Sequence, residues 1–60
     1  MFGERKNYKF IDNETGEIFF VNCAYLETAI ETAHDYFDDP EYLDEVCDDD
    51  EAEMLGYDTY

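Results

Sequence analysis

Sixty residues with eighteen Asp and Glu against three Lys and Arg give a net charge of −15. That balance excludes direct nucleic-acid binding and attachment to an anionic membrane, because both need Lys and Arg to meet phosphate, and the length excludes more than one domain. High net charge alone would point to disorder, but six Tyr and five Phe supply apolar surface that disordered chains lack. Residues 1–60 read as a single acidic α+β domain.

Met1-Phe2-Gly3-Glu4-Arg5-Lys6 lacks the apolar centre of a secretory signal. No stretch is long and apolar enough to span a bilayer. A cytoplasmic protein is expected, in the host cell's cytoplasm if the chain is phage-encoded. Cys23 and Cys47 are too few for a disulfide scaffold, so both are expected free and partly buried.

Residues 1–6 read as a leader, with Phe2 placed to dock on the core and Gly3 loosening the backbone. Residues 7–12 are rich in aromatic and β-branched types and predict a strand. Asp12-Asn13-Glu14-Thr15-Gly16 is a turn cluster: Asp and Asn bond their own backbone, and Gly16 can take positive φ. Residues 17–22 return as the second strand. Both of its faces are apolar, Ile18 and Phe20 on one and Phe19 and Val21 on the other. A helix must cover one face; the C-terminal segment or another molecule must cover the other.

Residues 23–37 read as a helix with Asn22 as N-cap. Leu26, Ala29, Ile30, Ala33 and Phe37 share one stripe. Glu27, Glu31 and Asp35 step by four along another, an acidic ridge with no basic partner. Asp38, Asp39 and Pro40 end the helix. Residues 41–47 fit a third strand and also a short helix capped by Asp39; the strand is preferred, since a lone hairpin under one helix makes a poor domain. Asp48 and Glu51 form an Asp-x-x-Glu version of the capping box, starting a short helix that Gly56 would end. Tyr57 to Tyr60 is a tail anchored by Tyr57. The expected architecture is a β-hairpin, an amphipathic helix, a third strand and a short C-terminal helix, ββαβ-like.

The charge is uneven. Residues 1–37 hold seven acids and three bases, for −4; residues 38–60 hold eleven acids and no base, for −11. Catalysis finds little support. His34, the single histidine, is eleven positions from Cys23, about 16 Å apart on one helix, too far for a nucleophile and its base. The acidic run lacks the glycine that a calcium-binding EF-hand loop requires. Two Cys and one His do not complete a zinc site without a carboxylate, and no glycine-rich loop could cradle phosphate. No cofactor or metal is expected.

Acids at every fourth helix position stand about 6 Å apart along the axis, comparable to the spacing of phosphates on a strand. Glu27, Glu31 and Asp35 supply one such line. The segment from Asp38 to Glu53 supplies more, with Asp38, Asp39, Glu41, Asp44, Glu45, Asp48, Asp49, Asp50 and Glu51, and Tyr36 and Tyr42 are interleaved as aromatic anchors. These carboxylates and Tyr42 are the expected partner-binding residues, and a basic nucleic-acid-binding protein of the host is the expected partner. In size, acidity and lack of catalytic residues the chain resembles the small phage-encoded inhibitors that imitate nucleic acid, among them anti-CRISPR and anti-restriction proteins. The resemblance is one of composition and assigns no residue a role; it implies phage origin and a host nucleic-acid enzyme as target. A rival reading is an assembly domain that binds through its aromatic hairpin face, with the acids serving solubility. A homodimer burying that face fits either reading.

Overall fold

The computed structural model describes residues 5–60, so the expectations for Phe2 and Gly3 lie outside the described residues. β1 (Lys6–Asp12) and β2 (Ile18–Cys23) form an antiparallel hairpin with Tyr8 opposite Val21 and Phe10 opposite Phe19. Its turn closes by the predicted chemistry. The Asp12 carboxylate accepts from the Glu14 N–H at 3.0 Å and from Thr15 Oγ1 at 3.1 Å. Gly16 takes a φ of 78°, where a Cβ would be strained. The sheet extends on both sides: β3 (Pro40–Cys47) pairs antiparallel with β1 and β4 (Asp58–Thr59) pairs parallel with β2, in the order β3-β1-β2-β4.

Strand alternation sorts the side chains onto two faces. Tyr8, Phe10, Phe19, Val21 and Cys23 face α1 (Leu26–Tyr36), whose Ala29 and Ala33 are fully buried against them. Leu26, Phe37 and Tyr42 pack around this core, and the Phe19 and Phe37 rings stack with centroids 4.0 Å apart. The opposite face carries Asn7, Phe20 and Asn22. There α2 (Asp49–Leu55) buries Ala52 and bonds both asparagines, while the Tyr57 ring lies 5.9 Å from that of Phe20. Phe20 is completely buried. The C-terminal segment therefore supplies the cover that the second apolar face needs, and the class is α+β as expected.

Local signals lose to tertiary ones at several points. Residues 23–25 are not helical, because Asn22 and Cys23 extend β2 opposite Asn7 and Lys6. Asn22 is not the N-cap; Tyr25 holds that position, with no side-chain cap bond. A cap bond contributes only about 1 kcal/mol, less than two ladder pairs and a buried amide partner together. Residues 41–47 are strand, and Pro40 opens it at an edge where a missing N–H is tolerated. Asp48 is the N-cap of α2 but makes no side-chain cap bond, so the expected capping box is absent. Gly56 ends α2 as expected, at φ 73°, with its N–H on the Ala52 and Glu53 carbonyls at 3.2 Å.

The tail is the largest departure. The Tyr60 N–H donates to the Phe20 carbonyl and the Asn22 N–H to the Tyr60 carbonyl, each at 2.8 Å, so the residues read as a tail anchored by Tyr57 also pair along the edge of the sheet. Tyr60 also closes the α1 face, its ring 5.7 Å from Phe19 and 5.5 Å from Phe37. Both cysteines are free, Cys23 buried and Cys47 half-buried.

Candidate interaction surface

On α1, the steps of four that put Ala29 and Ala33 against the sheet put Glu27, Glu31 and Asp35 on the solvent side, and all three are exposed. Tyr36 beside them is 63% exposed, its ring 4.8 Å from that of Tyr60. Asp38 and Asp39 follow in the connection to β3 with exposed side chains; the Asp39 carbonyl accepts from the Asn13 N–H at 3.0 Å.

β3 mixes free and engaged groups. Glu41 accepts from Asn13 Nδ2 at 3.2 Å. Glu45 Oε2 meets Lys9 Nζ at 2.9 Å, the one salt bridge among the described residues. That hydrogen bond holds the Lys9 ammonium pKa above its ordinary value. Tyr42 is half-buried, its ring 5.5 Å from Phe10 and 6.1 Å from Tyr8, and burial pushes its phenol pKa up. It belongs to the rim of the core, whereas the sequence pattern suggested an interface anchor. Asp44 sits at φ 56°, where the register against β1 shifts between Tyr8 and Phe10. Two residues' worth of extra strand is absorbed there, and an Asp tolerates the left-handed backbone better than most side chains.

On α2, Asp48, Asp50 and Glu51 are exposed and lack side-chain partners among the described residues. Asp49 differs. Its Oδ1 accepts from Asn7 Nδ2 at 2.8 Å and from Asn22 Nδ2 at 3.3 Å, and Asn22 Nδ2 also donates to Asn7 Oδ1 at 3.0 Å. Asn7 is 1% exposed. A buried amide without partners would be costly, so this three-way network both satisfies Asn7 and fixes the start of α2 on the sheet. Sequence reasoning missed it. The available signal was a pair of asparagines in opposed strands, on the face that also carries Phe20.

The expected partner-binding residues therefore do not form one stripe. The α1 acids lie over one face of the sheet, the α2 acids over the other, and β3 forms the edge between them. Neither His34 nor the cysteines add a nucleophilic arrangement. His34 is exposed on α1, Cys23 is buried in β2, and burial raises the Cys47 thiol pKa, which disfavours the thiolate. Among the described residues no three His, Cys, Asp or Glu side chains converge to hold a metal ion, and no helix is long and apolar enough to cross a membrane. Comparison with protein-family models, with curated proteins and with solved structures finds no match to this chain.

Proposed function

We propose that this protein is a non-catalytic inhibitor that occupies the basic nucleic-acid-binding surface of a host defence or DNA-processing protein. One observation carries the reading. Glu27, Glu31, Asp35, Asp38, Asp39, Asp44, Asp48, Asp50 and Glu51 are exposed and make no side-chain hydrogen bond or salt bridge among the described residues. They stand on a frame whose described buried polar side chains are all satisfied. Like charges held close on a small domain destabilise it, and a surface of Lys and Arg relieves that repulsion. Such surfaces are what nucleic-acid channels present. The split of the acids over two faces favours a cleft that encloses the domain over a flat patch.

The rival reading, assembly through an open hairpin face, loses its motive: Phe19 is 2% and Phe20 0% exposed. The test is capture on the immobilised protein from a bacterial lysate at low salt, then elution by rising salt and competition with DNA or RNA. Release of a nucleic-acid-binding protein at moderate salt, with competition, is expected. A complex that survives high salt while its target still holds nucleic acid refutes the proposal.

A further inference from the structure

We infer that the groove between α2 and the sheet is a socket for one guanidinium group, the head of an arginine side chain from the basic partner; the identity of that partner rests on the reading above. The groove has a volume of about 370 Å³ and is lined by Asn7, Asn22, Asp49, Ala52, Glu53 and Tyr57, among others. That volume is at the small end of ligand pockets and leaves room for a guanidinium together with its stem.

The chemistry selects a planar cation. Asp49 Oδ1 takes both asparagine amides, which leaves Oδ2 as an acceptor. Glu53, one helical turn further along α2, adds a second carboxylate to the same groove. A carboxylate accepts the paired N–H donors of a guanidinium in a bidentate fork, while an ammonium is a compact, strongly hydrated point charge that fits such a site less well. Tyr57 and Ala52 add an aromatic and an apolar residue to the lining, and an aromatic ring near carboxylates favours a cation. The buried Asn7 holds Asp49 in place before any ligand arrives, and such preorganisation lowers the cost of binding.

The experiment is an NMR titration of the whole chain with methylguanidinium chloride, and with methylammonium chloride at equal ionic strength. Saturable shifts of the Asn7 and Asn22 side-chain amides with methylguanidinium are expected, and weaker ones with methylammonium. Glu53→Gln is expected to weaken binding roughly tenfold, the loss of one charge-assisted hydrogen bond. Glu14→Gln removes the same charge at an exposed position outside the groove and is expected to leave binding unchanged. Shifts that do not saturate, equal affinity for the two cations, or equal loss in the two variants would overturn the socket. The two readings fail separately. If the socket fails while target binding still competes with DNA, the inhibitor reading stands. If methylguanidinium binds but the captured partner has no nucleic-acid surface, the socket stands and the inhibitor reading falls.

Discussion

The Asn7 amide reaches across forty-two positions of chain to donate a 2.8 Å hydrogen bond to Asp49, and so ties the first strand to the last helix. Asn7→Leu keeps the side chain's approximate volume but leaves Asp49 and Asn22 without their common partner. A loss of about 1–3 kcal/mol is expected in urea denaturation, with Asp49→Ala adding less in the double variant than it costs alone. Additive losses would show that the two side chains do not act together.

Phe20 is the side chain that the C-terminal segment exists to cover. Phe20→Ala should remove about 3–5 kcal/mol. That equals the whole stability a core of this size supplies, so circular dichroism is expected to show a largely unfolded chain at 25 °C. A cooperative transition near that of the parent would mean that α2 and Tyr57 contribute little.

Asp44 tests backbone strain apart from charge. Asp44→Gly and Asp44→Val remove the same carboxylate. Gly suits the φ of 56° and is expected to hold or raise stability, by up to about 1 kcal/mol. A β-branched Val in left-handed backbone should lower it by about 1–2 kcal/mol. Equal melting temperatures for the two variants would remove the strain from the account.

Three groups bind their protons more tightly in the folded chain. Burial lifts the Cys47 thiol above its ordinary 9.0 and the Tyr42 phenol above 10.0, and the hydrogen bond to Glu45 lifts the Lys9 ammonium above 10.5. For each, stability is full below the ordinary value and is lost as pH rises through the folded one. The urea midpoint should therefore decline above about pH 9. Cys47→Ala should remove the earliest part of that decline and Lys9→Met the latest. A midpoint that stays level through that window would contradict the prediction.

Reversing charge on either side of the sheet should weaken capture of the target. Glu27→Lys with Glu31→Lys on α1, and Asp48→Lys with Asp50→Lys on α2, are each expected to reduce affinity tenfold or more, since like charges brought together across an interface cost roughly several kcal/mol. Lys9→Ala should change it little. If one pair matters and the other does not, the target presents a flat surface and not a cleft, as isothermal titration of the four proteins would show.

Much of this molecule is legible in its residue pattern. The Asp12 to Gly16 turn, the Ala29 and Ala33 stripe and the Gly56 stop all depend on neighbours a few positions away, and those are the features sequence reading finds. The role of Asn22 depends on Asn7 and Asp49, fifteen and twenty-seven positions distant, so its local capping preference misleads. Tyr60 follows a strand of two residues, Asp58–Thr59, too short to carry any periodicity. Tyr42 sits among acids in the chain but opposite Phe10 in the sheet, and the sheet decides its surroundings. The exposure of the acids follows from the scarcity of bases. Their division between two faces does not, because the long-range tie from Asn7 and Asn22 to Asp49 sets where α2 rests.

β3 borders the sheet with a kinked residue at Asp44 and with carboxylates at Glu41, Asp44 and Glu45. A second copy laid along that border would find its hydrogen-bonding row broken and its own negative side chains facing more of the same. The border is therefore a poor template for lateral growth. Along this side, a sheet rich in aromatic residues is guarded against edge-to-edge pairing.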